Sequence, residues 1–192
     1  MAAVDGKFYR FGPDGTGKPV DPASQAPFAV VKHFNTDITI KLDGPCDLET
    51  VQATIDQNLP ERDALCAVKI SACFEDLQFR VMRRQSDGTD LDTASQSQAE
   101  FHEKGLDGVL VGFRFPGDSA PVGVPGYHLH LIIEDGRLGG HCHGAVLRDI
   151  TIEIDDTDHL HLAADDGMTR LTAGMSADDR ARLDRVERER RT

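Results

Sequence analysis

Tryptophan is absent from this 192-residue chain, and aromatic residues make up only 6% of it. Stacking platforms for single-stranded nucleic acid need aromatic faces, so that class is disfavoured. Positive charge is also scarce: Lys and Arg number 21 against 33 Asp and Glu, a net charge of −12. A surface of that sign repels both phosphate backbones and anionic membranes. No apolar run approaches the roughly 20 residues needed to span a bilayer. The first ten residues lack the apolar core of a secretory signal, which makes a cytoplasmic address the expectation. The four cysteines, Cys46, Cys66, Cys73 and Cys142, form no C-x-x-C pair. Buried free thiols are expected from them rather than disulfides. What is present is 39% hydrophobic residues, enough for one sizeable core. These features suit an acidic enzyme that meets small molecules.

Strand patterns dominate. Phe8–Phe11 reads as a short strand before a turn at Pro13-Asp14-Gly15, and Phe28–Phe34 and Asp37–Leu42 read as two more. Leu48, Val51, Ile55 and Leu59 recur at helical spacing, and Pro60 stops that helix. Leu65–Phe74 and Leu77–Met82 read as a strand pair turning near Glu75-Asp76, followed by a polar loop over Gln85–Gln98. Gly108–Phe115, Gly126–Ile133, His141–Val146, Ile150–Ile154 and His159–Ala163 read as further strands, and Ser176–Arg191 as a charged C-terminal helix capped by Ser176. Few helices and no βαβ alternation predict an α+β fold with mixed or antiparallel sheets. No repeat or linker divides the chain, so one domain over 1–192 is expected, and pairing into a homodimer through edges or faces stays open.

The histidines carry the chemistry. His128 and His130 lie two apart in an alternating apolar stretch, so on a strand both imidazoles project to one face. The turn at Asp135-Gly136 brings the next strand back, with His141 at its start after Gly139-Gly140. Three imidazoles from two neighbouring strands suit a catalytic zinc site with a coordination position left open, although another divalent transition metal would fit the same donors. An H-x-H pair alone is weak: His159-Leu160-His161 has the same spacing with no histidine following and reads as a structural strand. His143 shares a strand with His141 and could take its place. Cys142 alternates with both and is expected to face the core or an interface.

Three segments then carry a likeness: Val109–Pro116 (VLVGFRFP), Val124–His130 (VPGYHLH) and Gly139-Gly140-His141. In order and spacing they resemble the acetolactate decarboxylase signature, V-G-F-R-x-P, V-P-G-[FY]-H-x-H and G-G-H. Asp5–Tyr9 and Pro27–Val31 are similar to upstream family segments, so the likeness covers nearly the whole chain. The resemblance implies that His128, His130 and His141 bind zinc. It implies that Arg80, in FRVMRRQ, contributes to catalysis, and that Glu187 near the C-terminus reaches the active site. It further implies an N-terminal extension with a second active-site glutamate. Met1-Ala2-Ala3-Val4 stands where that glutamate belongs and holds no acid, which suggests either an internal start or a shortened homologue with impaired turnover. Arg114, also within the signature, is expected to make a structural salt bridge or hydrogen bonds.

The implied reaction is decarboxylation of 2-acetolactate to acetoin, a step of acetoin and butanediol biosynthesis, with the metal polarising the ketone and hydroxyl oxygens. Two other readings compete. A cupin-type metalloprotein would use His128, His130 and Glu134, but the later P-x-G motif with its His and Asn is not found. A catalytically impaired metal- or small-molecule-binding homologue is the other.

Overall fold

The computed structural model describes residues 1–24, 26, 29–61, 64–82, 98–117, 123, 125–157 and 159–161. Among these the fold is α+β: ten strands, one α-helix and one short 3-10 turn. The helix, α1 (Leu48–Asn58), begins at Asp47, whose carboxylate accepts from the Thr50 backbone N–H at 2.7 Å and so satisfies one of the orphan donors at a helix start. Val51 and Ile55, four apart, are fully buried, and burial of such side chains contributes about 1.5–3 kcal/mol each. Leu59 leaves the helix in an extended conformation, as the residue before a proline prefers.

β1 (Ala2–Val4), β2 (Lys7–Phe11) and β3 (Gly17–Pro19) form a small antiparallel sheet. The large sheet holds β4 (Ile38–Leu42), β5 (Cys46–Asp47), β6 (Cys66–Val81), β7 (Ala99–Glu103), β8 (Leu106–Phe115), β9 (Gly126–Ile133) and β10 (Leu138–Asp156), and all its pairings are antiparallel. β10 pairs with β9 through its first four residues and with β6 from Cys142 onward. Because β9 pairs with β8 and β8 with β6, the chain of pairings β6–β8–β9–β10 returns to β6 and closes a ring. One face of that ring, with Phe74, Leu77, Phe79, Leu110, Leu129, Leu131, Ile133 and Cys142, packs with α1 into the main core. On the other face Ile132 and Val81 pack against Ala2, Tyr9 and Phe11 of the small sheet. The small sheet is also bonded to the start of β10: Gly17 N–H donates to Arg137 O at 2.9 Å, and Gly139 N–H to Gly15 O at 3.1 Å.

Close backbone approach demands glycine where the ring tightens. A Cβ on Gly112 of β8 would stand 1.9 Å from the His128 carbonyl oxygen, and one on Gly140 of β10 would stand 2.6 Å from the Arg80 carbonyl oxygen.

The structure corrects several sequence expectations. Leu65–Phe74 and Leu77–Met82 do not form a hairpin: Cys66–Val81 is one 16-residue strand. Val146 pairs with Asp76 but Leu147 with Phe74, so Glu75 is an extra residue in a bulge, not part of a turn. The bulge shifts the alternation, which is why Phe74 and Leu77, three apart, are both fully buried. His141–Val146 and Ile150–Ile154 likewise belong to one strand, interrupted between Arg148 and Thr151 around Asp149, whose φ is +53°. Residues 29–34 are not a strand. That segment is instead tethered to the end of β10: Lys32 Nζ lies 2.6 Å from Asp155 Oδ1 and donates to the Asp156 carbonyl and to Thr157 Oγ1, while Asn35 N–H donates to Asp155 Oδ2 at 2.7 Å. Residues 159–161 are exposed and irregular rather than a strand. The expected loop over Gln85–Gln98, all but its last residue, and the helix over Ser176–Arg191 lie outside the described residues. No described helix is long and apolar enough to cross a membrane.

Candidate metal centre

On β9, Leu129, Leu131 and Ile133 face the main core, so alternation sends His128, His130 and Ile132 to the opposite face. The tight connection over Glu134–Gly136, where Glu134 and Asp135 both adopt positive φ, returns the chain so that His141 pairs directly with His130. The three rings converge, with centroids 5.0 Å apart for His128–His130, 4.8 Å for His128–His141 and 5.6 Å for His130–His141. One ring nitrogen from each lies within 4.8 Å of the other two. Among the described residues no other set of histidine, cysteine or carboxylate groups gathers three potential ligand atoms this closely.

The donors fit a divalent metal. His128 Nε2 and His130 Nε2 stand 3.0 Å apart. Two nitrogens bound tetrahedrally to one ion at about 2.0–2.1 Å are separated by about 3.4 Å. Burial, then the charge of His128 and then the Met1 amine, push the His130 imidazolium down to about 3. The ring is therefore neutral near pH 7 and carries a free lone pair, the form that ligates. Which of the two nitrogens donates across this contact depends on the tautomers; with both Nε2 atoms unprotonated, a shared cation would accept both lone pairs.

Arg80 lies on β6, opposite Glu100 of β7, and is buried at 9% exposure. Cys142 pairs with Phe79 and both face the core. Carrying that register one residue further sets Arg80 against His141 on the histidine face, consistent with the contact between the Arg80 carbonyl and Gly140. Cys142 is buried in the core, as alternation predicts. β10 gains a residue over β6 between Cys142 and Gly144, which makes His143 the bulged position, and His143 is not part of the three-histidine group. Glu134, the ligand a cupin would need, is also outside that group; it accepts from Arg137 Nε at 2.5 Å and Nη2 at 2.9 Å. His159 and His161 are exposed. Glu187 lies outside the described residues.

A second polar cluster, which motif reading missed in part, stands beside the histidines. Arg114 and Tyr127 are cross-strand partners on β8 and β9. Arg114 Nε donates to Asp56 Oδ1 at 2.7 Å, and its Nη1 to the Ala64 carbonyl at 2.7 Å. Tyr127 Oη donates to the same Asp56 oxygen at 2.7 Å, with the Gln52 carbonyl a second acceptor at 3.1 Å. Burial, reinforced by Asp56, pushes the Tyr127 hydroxyl well above the usual phenol range, so it remains a donor. Arg114 is thus ion-paired and hydrogen-bonded, as expected. Asp56 carried no signal beyond being four residues from Gln52 on one helix face.

The alpha-acetolactate decarboxylase family model matches residues 1–171. The chain belongs to the alpha-acetolactate decarboxylase family. It is 34% identical over 163 residues to the alpha-acetolactate decarboxylase of Methylococcus capsulatus, covering 84% of this chain and 63% of that protein. It is 38% identical over 142 residues to that of Methanosarcina mazei, covering 73% and 49%. The chain thus spans 49% to 63% of the length of these relatives. A crystal structure of acetolactate decarboxylase from Bacillus subtilis subspecies spizizenii matches with a TM-score of 0.88 at 30% identity, over 95% of this chain and 79% of that one. Membership in this family, with Glu134 turned to Arg137, removes the cupin reading.

Proposed function

We propose that the protein decarboxylates 2-acetolactate to acetoin at a divalent metal, zinc by preference of the donor set, held by His128, His130 and His141. The observation that carries this is the convergence of three histidine nitrogens within 4.8 Å in a chain of the acetolactate decarboxylase family.

Acetolactate holds its carboxylate beta to a ketone. Loss of carbon dioxide drives two electrons into that carbonyl, and the barrier is largely the negative charge that grows there. A divalent cation in this site supplies Lewis-acid polarisation of the substrate's oxygens, an effect worth several kcal/mol. His128, His130 and His141 contribute neutral donors, so they leave that positive charge undiminished. Arg80 holds the departing carboxylate through its planar donors or neutralises the developing enediolate; either task suits a guanidinium on the histidine face. It stays protonated and does not deliver the proton that completes acetoin. From the family resemblance Glu187 is assigned as that proton relay or as an extra metal contact. Free cysteines fit a reducing compartment, and a cytoplasmic address belongs to the same proposal.

The test is direct. Protein freed of metal and reloaded with one equivalent of Zn2+ is expected to convert acetolactate to acetoin, read colorimetrically against the spontaneous reaction. Stoichiometric metal binding with no acetoin above the spontaneous rate would instead establish the impaired, binding-only homologue.

A further inference from the structure

The Asp56 cluster sits at a mechanically weak place. β8 and β9 are held at this end by their last cross-strand pairs, Phe115–Gly126, Arg114–Tyr127 and Phe113–His128. One metal-site histidine is therefore only two rungs from where the ladder stops, and strand ends fray. Tyr127, next in sequence to His128, points to the other face of the sheet, toward α1. There its hydroxyl and the Arg114 guanidinium meet on a single carboxylate oxygen, each at 2.7 Å. Both donors are largely enclosed: the Arg114 side chain is only 11% exposed, whereas Asp56 is 46% exposed. The Gln52 carbonyl, one helical turn before Asp56, adds a second contact to the same hydroxyl.

Resting on the metal-centre reading above, we propose that Asp56 and Tyr127 are positioning residues for His128: they clamp the open end of the β8–β9 pair to α1 and hold the His128 ring at the spacing that binds the cation. Neither residue touches the metal or the substrate. They act through the backbone of Tyr127, whose displacement carries His128 with it. Ligand sets lose affinity when the groups that orient them are removed, typically by 10- to 100-fold. A latch that merely strengthened the fold would change stability but leave the affinity of the folded protein unchanged.

The experiment compares Tyr127→Phe and Asp56→Asn with the wild type, all stripped of metal and folded. Phe keeps the ring in the core and removes only the hydroxyl; Asn keeps an acceptor and removes the charge. Co2+ affinity is read from the visible d–d bands and by competition with a chromophoric chelator, beside the melting temperature of the metal-free forms. Leu106→Ala, which trims a side chain packed against the main core at the opposite end of β8, serves as a control that lowers stability away from the clamp. Both clamp variants are expected to weaken Co2+ binding about tenfold and to alter the band envelope, with Leu106→Ala matching the wild type. Affinities within twofold of wild type in both clamp variants, with only their melting temperatures lowered, overturn the clamp alone. A wild-type protein that takes up no Co2+ overturns the metal-centre reading, and the clamp with it.

Discussion

Burial decides the character of single side chains here, and the cysteines show it as sharply as the histidines. Cys66 and Cys142 lie in the main core, and burial pushes their thiols up to about 11 and about 12. Thiolate is the reactive form, and at those values almost none exists near neutrality. Cys46 and Cys73 are partly exposed, contrary to the expectation that all four are buried. Iodoacetamide at pH 8 is therefore expected to modify at most Cys46 and Cys73 in the native protein, with Cys66 and Cys142 labelled only in denaturant; mass spectrometry of the native digest checks it. Rapid native labelling of Cys142 would mean that the core beside His141 opens. In the proposed reaction Arg80 is the residue whose chemistry matters most beyond the three histidines. Arg80→Lys keeps the charge but gives up the planar pair of donors. It is expected to lower kcat by about 10²-fold, the scale for losing one well-aimed donor to a developing oxyanion, with zinc content unchanged. Normal turnover in Arg80→Lys would reduce Arg80 to a simple buried cation.

At the scale of elements, legibility followed the regularity of the pattern. Tyr127–Leu131 alternates apolar and polar residues within the strand Gly126–Ile133, and Leu48, Val51 and Ile55 placed α1. Because alternation held on β9, the shared face of His128 and His130 was readable before any coordinates. Bulges were what broke the reading: Glu75-Asp76 and Arg148-Asp149 have the composition of turns but are irregularities inside strands of 16 and 19 residues. Residues 29–34 look like a strand by composition, yet they are held by the Lys32–Asp155 pair and the Asn35 amide, long-range partners that no local window contains. β1, β3 and β7 are three to five residues long with mixed exposure, too short to show a period. The Asp56–Tyr127 contact joins residues 71 apart and was invisible for the same reason. Two glycines test the closeness of the ring. Gly112→Ala must force a methyl toward the His128 carbonyl, whereas a Cβ at Gly144 first meets the flexible Gln78 side chain at 3.4 Å. Gly112→Ala is expected to cost about 1–3 kcal/mol or more in urea unfolding, and Gly144→Ala to stay within about 0.5 kcal/mol of wild type. Equal behaviour of the two would contradict the packing of β8 on β9.

For the molecule as a whole, the proposed metal site lies at the point where the ring closes, between the starts of its β9–β10 and β10–β6 pairings. β9 pairs with β10 through only four residue pairs before β10 moves on to β6, so a cation gripped by His128, His130 and His141 would cross-link two strands with little shared ladder. The same face is covered by the small sheet through Tyr9 and Phe11, which means that loosening β9 from β10 also undermines the second core. A ligand that binds only the folded state stabilises it by about 2.7 kcal/mol at a hundred times its dissociation constant. For a chain of this size each kcal/mol raises Tm by about 2–4 °C. Zinc at that excess is therefore expected to raise Tm by roughly 5–10 °C, EDTA to return it to the metal-free value, and His141→Ala to abolish the shift while the metal-free form still melts cooperatively. Scanning calorimetry of both proteins with and without zinc, and of the EDTA-treated wild type, decides the matter. An equal zinc shift in His141→Ala would place the cation elsewhere, and the convergence of the three imidazoles would then have to be explained by packing alone.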